Sequence, residues 1–202
     1  TQCTIIGIDY SLAQEARYPQ AIEEIVAVCQ YFYQHAGDYS LNVNHIGFAG
    51  DSAGGGLALS LATGLRHSGR QLPVRMALIS PWVDLRSGYQ PRSVPGEVML
   101  STQWMQACAD HYAGIGAADF HLSPLLGDLS GLPPILIQCG SDDMLCDQSR
   151  CLHTALLGAG TDCVLEVELN RWHVYQIHAG QLPSADRAVL RIARFLNEGE
   201  GV

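Results

Sequence analysis

The run Gly50-Asp51-Ser52-Ala53-Gly54-Gly55 restricts this chain's fold more than any other stretch. It follows a short apolar segment, His45-Ile46-Gly47-Phe48-Ala49, and opens a small-residue segment, Leu57-Ala58-Leu59-Ser60-Leu61-Ala62. The first reads as a strand and the second as a helix. A Gly-x-Ser-x-Gly at such a junction is a sharp, strained turn that exposes a serine hydroxyl at the top of a sheet. Bulk beside the serine would block the turn, so Gly50 and Gly54 are read as the residues that remove it. The helix start aims N–H groups and a positive dipole end at the place where negative charge would develop. The plainer alternative is a Gly-rich turn in an ordinary strand–helix unit. Partners for the serine elsewhere in the chain decide between the two.

A length of 202 residues suits one domain with a sizeable core. Hydrophobic residues at 48% against charged residues at 15% place it among globular rather than disordered chains. A net charge of −9, with no Lys/Arg cluster, argues against nucleic acid or an acidic membrane surface as partner. No apolar run reaches the roughly 18 residues of a membrane span, and no leader pattern opens the chain. The seven cysteines are odd in number and irregularly spaced. Cys3, Cys29, Cys139 and Cys163 fall on apolar strand or helix positions, so they read as small buried hydrophobes in a reducing, cytoplasmic setting. Cys146 and Cys151 lack the spacing of a zinc site, and neither a metal nor a cofactor is expected. The chain starts Thr1-Gln2-Cys3 and runs at once into a buried-type strand, which leads us to expect that N-terminal residues precede it.

Strands are predicted at Cys3–Ile8, His45–Ala49, Val74–Ser80, Ile135–Cys139 and Cys163–Leu169. Helices are predicted from Pro19 to Gly37, from Ala53 to His67, around Thr102 to Tyr112, from Gln148 to Leu157 and from Ser184 to Asn197. In the first of these Ile22, Ile25, Val26, Cys29, Phe32 and Tyr33 share a face. In the last, Val189, Ile192, Phe195 and Leu196 should point inward and Arg187, Arg191 and Arg194 outward. Residues 84–130 break the alternation with loops rich in Pro, Gly and Arg, and read as a partial lid inserted in a single domain, 1–202. Trp104, Met105 and Tyr112 lie in it, either shaping a pocket or packing the lid. Alternating strands and helices predict an α/β fold with a mostly parallel sheet covered on both faces. Ligands in such sheets bind at the carboxyl ends of the strands.

A serine hydroxyl is a weak nucleophile until a base removes its proton. Two loops after Ser52 offer the partners, in the order acid then base. Arg171-Trp172-His173 follows the last strand, and His173 is the candidate general base, with His178 second. Gly140-Ser141-Asp142-Asp143 follows the preceding strand, and Asp143 is the candidate orienting acid, with Asp142 second. Asp147 reads as a helix N-cap. Asp51 and Asp84 read as structural or lid contacts.

With these residues the chain resembles the hormone-sensitive-lipase-type (bacterial family IV) esterases of the α/β-hydrolase fold. Gly7-Ile8-Asp9-Tyr10 through the Ser52 turn most resembles bacterial acetyl esterases. Ser123-Pro124-Leu125, Leu132-Pro133-Pro134 and His173-Val174-Tyr175-Gln176 are similar to lactone- and ester-hydrolysing members. The resemblance implies Ser52 as nucleophile, Asp143 as acid, His173 as base and the backbone N–H of Ala53 as one oxyanion-hole donor. Two departures stand out. The family's Asp-Tyr-Arg-Leu-Ala-Pro-Glu reads Asp9-Tyr10-Ser11-Leu12-Ala13-Gln14-Glu15 here, without the proline. The family's His-Gly-Gly-Gly oxyanion motif has no counterpart and would lie upstream of Thr1, as would its N-terminal strands and lid helices. Losing one oxyanion donor costs about 10²–10³ in rate.

The resemblance implies a serine carboxylesterase acting on small-molecule, short-acyl esters without a cofactor. The alternatives are lactone or aryl-ester hydrolysis, a non-catalytic binding protein of the same fold, and association of copies (a homo-oligomer) through an open sheet edge.

Overall fold

Parallel strands need covering on both faces and a long connection between neighbours. A computed structural model describes residues 3–86, 91, 93–113 and 122–197. The elements run α1 (Gln20–Gln34), β1 (Phe48–Asp51), α2 (Ala53–His67), β2 (Met76–Ile79), α3 (Thr102–Ala113), β3 (Ile135–Gly140), α4 (Cys146–Gly158), β4 (Cys163–Glu168) and α5 (Pro183–Asn197). The strands lie in the order β1-β2-β3-β4, every pair parallel. The order advances in one direction, so crossovers of a single hand place their helices on one face. Helices α2 and α4 share that face: Ala58, Leu59, Ala62, Leu152 and Leu156 pack on Met76, Leu78, Ile135 and Ile137. Burying each of the larger side chains is worth about 1.5–3 kcal/mol. Alternation turns Gln138 to the opposite face, where its amide donates to the Ala188 carbonyl of α5 at 3.2 Å. Helix α1 stacks Ile22, Ile25 and Cys29 on Leu57, Leu61 and Leu65 of α2.

Five expectations change. Cys3–Ile8 is not a strand; it runs without regular structure outside the four-stranded ladder, and Ile5 is 83% exposed. Apolar composition alone does not make a strand when no neighbour takes its N–H and C=O groups. The strand expected at His45–Ala49 instead starts at Phe48. Asn42 accepts a hydrogen bond from Asn44 N at 3.0 Å and folds Val43–His45 into a 3₁₀ turn first. In α5, Ala185 and Ala188 face inward with Phe195, while Val189 is exposed. Val189 follows Ala188 by one residue and so lies about 100° around the helix from it. Arg191, expected outward, is half-buried against Glu166. Cys3 is exposed, whereas Cys29, Cys139, Cys163 and also Cys146 are buried.

The expected lid is described in part. Residues 87–90, 92 and 114–121 lie outside the described residues. Met105 of α3 is buried with Trp82, Ala109 and Leu145. Trp104 is exposed, and Tyr112 meets Tyr18 edge-on at 6.1 Å.

The glycines of the serine turn divide unexpectedly. A Cβ on Gly50 would strike the Gly54 carbonyl, one on Gly55 would press on Pro81, and one on Gly56 would strike the Trp82 carbonyl. A Cβ on Gly54 meets nothing within 4 Å. Gly50→Ala should therefore lower unfolding stability by about 1–3 kcal/mol, as overpacking does. Gly54→Ala should leave it unchanged or raise it by about 0.5–1 kcal/mol, the helix preference for Ala over Gly. Urea unfolding of both variants checks the pair.

Candidate active site

Ser52 joins β1 to α2 at φ 52°, ψ −120°, a conformation that non-glycine residues rarely adopt. Main-chain bonds hold it there. Ser52 N donates to Ile79 O at 2.9 Å, and Ser52 O accepts from Gly55 N at 3.1 Å, Gly56 N at 3.3 Å and Trp82 N at 2.9 Å. The turn is thus anchored both to its own helix and to the segment after β2.

The acid loop leaves β3 at Gly140, whose missing Cβ lets the Arg171 carbonyl approach. Asp142 N donates to that carbonyl at 2.9 Å, and Ser141 N donates to Glu168 O at 2.9 Å. These bonds bind the loop after β3 to the loop after β4. Val174, at φ 50°, closes the second loop with its amide on Ser80 Oγ at 3.2 Å.

Between these loops the three expected side chains meet. His173 Nδ1 lies 3.0 Å from Asp143 Oδ1, and Nε2 lies 2.9 Å from Ser52 Oγ. A carboxylate only accepts, so Nδ1 carries the proton and donates. Nε2 is then the acceptor in the neutral ring, and the Ser52 hydroxyl donates to it. His173 is 3% exposed and Asp143 1%, so water competes little for these bonds. Asp143 Oδ1 also accepts from Leu145 N at 2.8 Å, which fixes the carboxylate.

The second choices go elsewhere. Asp142 takes the Ser141 hydroxyl at 2.8 Å. His178 meets the Trp172 ring edge-on at 5.6 Å. Asp147 lies in the first turn of α4 and is not the N-cap; Leu145 is, without a side-chain bond. The helix starts two residues earlier than predicted, because Asp143 O accepts Cys146 N at 3.0 Å. There Asp147 still favours the helix dipole. Asp51 is exposed, and with burial it raises the Tyr10 hydroxyl pKa. Asp84 is buried and ion-paired to Arg86. Ala53 is the first residue of α2, where N–H groups lack intrahelical acceptors.

Two features escaped the sequence reading. Cys139 and Cys146 bring their sulfurs to 3.7 Å beside the acid loop, Cys139 donating to Cys146. That bond and the nearby Arg150 charge lower the pKa of the Cys146 thiol, while the same bond and burial raise that of Cys139. Six residues between them gave no motif. The other is Glu97, whose carboxylate reaches the main chain of both loops. A lone acidic residue in a Pro/Gly-rich loop carries no sequence signal. Among the described residues, no group of three or more His, Cys, Asp or Glu is placed to hold a metal ion. No helix among them is long and apolar enough to cross a membrane.

A family model described as alpha/beta hydrolase fold matches residues 1–177. The chain belongs to that family. This hydrolase-fold chain is 39% identical over 205 residues to an acetyl esterase of Salmonella paratyphi B, covering 96% of its own length and 62% of the relative's. It is 34% identical over 201 residues to an acetyl-hydrolase of Streptomyces hygroscopicus, covering 98% of itself and 66% of that protein. The chain therefore spans somewhat under two thirds of the curated relatives it matches. A crystal structure of an esterase from the bacterial hormone-sensitive lipase family superposes with a TM-score of 0.87 at 34% identity, over 96% of this chain and 65% of that one. The likeness to that family first seen in the motifs is thus met in the fold.

Removing the Asp143 carboxylate leaves two buried N–H groups, on Leu145 and on the His173 ring, without their acceptor. Each such loss costs about 1–3 kcal/mol. Asp143→Ala should therefore be clearly less stable than the parent in urea unfolding, and Ser52→Ala nearly as stable as the parent.

Proposed function

We propose that this chain carries the nucleophile, base and acid of a serine carboxylesterase acting on short-acyl esters. The observation that carries the reading is the continuous line from Ser52 Oγ to His173 Nε2 at 2.9 Å and from Nδ1 to Asp143 Oδ1 at 3.0 Å. The chain's similarity to an acetyl esterase and an acetyl-hydrolase supports the acyl class.

In this reading Ser52 Oγ attacks the ester carbonyl as its proton passes to His173 Nε2. Asp143 keeps the ring in the tautomer that accepts at Nε2 and stabilises the imidazolium that forms. The Ala53 N–H, at the positive end of α2, donates to the oxyanion. His173 returns the proton to the leaving alcohol. A water then attacks the acyl-enzyme, its proton passing to His173, and Ser52 leaves with that proton as the acid departs. No step needs a cofactor. Residues 1–202 act as one domain in which 84–130 form a partial lid. Seven free cysteines suit a cytoplasmic setting.

Hydrolysis of p-nitrophenyl esters from acetate to octanoate, with lactones and aryl esters as further arms, tests the proposal beside a Ser52→Ala control. Ser52-dependent turnover that falls with acyl length is expected; equal rates in the two proteins would overturn it. Asp143→Asn, which favours the wrong tautomer, should lower kcat by about 10³–10⁴, while Asp142→Asn should change it little.

A further inference from the structure

Glu97 sits in the loop before α3, far from the site in sequence, yet it reaches the site's main chain with one oxygen. Oε2 accepts from Met144 N at 3.2 Å and from His173 N at 3.2 Å. Oε1 accepts from Met99 N at 2.7 Å and from Leu100 N at 3.2 Å. The same loop presses on the acid loop one residue earlier. Gly96 has φ 95°, and a Cβ there would collide with the Asp142 carboxylate. Glu97 N donates to Val94 O at 3.1 Å, which closes the turn.

Four N–H donors thus converge on two oxygens from three segments: the 94–100 turn, the acid loop and the His173 loop. Only a carboxylate offers two acceptor-only oxygens to such a set. Bonds to an ionised acceptor are also shorter and stronger than neutral ones. Val98 and Met99, which follow Glu97 in the chain, are both exposed.

We propose that Glu97 is a positioning residue: its carboxylate latches the lid loop to the acid and histidine loops and so fixes the His173 main chain at the distance Ser52 requires. This rests on the esterase reading above. Glu97 touches neither Ser52 nor the reacting atoms; it acts through where His173 stands. An error of about 1 Å in such a placement costs on the order of 10²-fold in rate.

Glu97→Gln keeps the shape but offers one neutral oxygen in place of two charged ones, so the Met144 and His173 amides either lose their acceptor or keep a weaker one. Two measurements read it. Hydrogen exchange followed by NMR should show the His173 and Met144 amides exchanging at least about tenfold faster than in the parent, with the β3 amides unchanged. On p-nitrophenyl acetate, kcat should fall on the order of 10- to 100-fold with KM unchanged, because only the chemical step senses the ring position. Unchanged exchange at both amides, an unchanged kcat, or a loss confined to KM would overturn the proposal; the last would make Glu97 an organiser of substrate contacts alone. If the parent does not hydrolyse the ester, the esterase reading fails and the exchange comparison alone decides the latch. If the Gln variant does not fold, Glu97→Asp takes its place. It keeps both oxygens on a stem one carbon too short, and the same two readouts apply.

Discussion

The turn at Ser52 is the constraint on which the rest of the molecule depends. A non-glycine residue at φ 52°, ψ −120° costs of order 1–3 kcal/mol and persists only where its surroundings fix it. Here they do so through main-chain bonds to Ile79, Gly55, Gly56 and Trp82. The glycines around it serve the close approach: Gly50 admits the Gly54 carbonyl, and Gly55 and Gly56 admit Pro81 and Trp82. The strain is therefore balanced by packing against the β2 segment, and the hydroxyl is held 2.9 Å from His173 Nε2.

The sheet supplies the second half of the arrangement. Four parallel strands laid down in sequence bring the ends of β1, β3 and β4 to one rim. Residues far apart in the chain then need only short loops to meet. Those loops are tied to each other by backbone bonds between Asp142 and Arg171 and between Ser141 and Glu168, so their separation is set before any side chain is placed. Ser80, at the end of β2, joins the same rim by accepting the Val174 amide. All four strands thus contribute to where His173 stands.

Much of this was legible in the sequence. The Gly-x-Ser-x-Gly junction, the order of Asp143 and His173 behind it, and the helix of Ala53 to His67 all follow from local pattern. What was not legible depends on contacts across the fold. Cys3–Ile8 looks like a strand because its composition is apolar, yet pairing is a property of neighbours. The inward face of α5 carries Ala185, Ala188 and Phe195, so its phase is set by packing on the sheet rather than by its bulkiest apolar residues. Gly54 looked as necessary as Gly50 because a motif does not say which of its glycines is crowded. Glu97 carries no signal at all, since its significance lies in four amides contributed by three separate segments.

The central claim is that fold and hydrogen bonding make one serine hydroxyl reactive. Its most direct test is covalent trapping with a fluorophosphonate, followed by peptide mass spectrometry. The account predicts a single stoichiometric adduct on Ser52, formed far more slowly in His173→Ala and absent in Ser52→Ala. Labelling spread over several serines, or labelling of Ser52 that does not depend on His173, would contradict it.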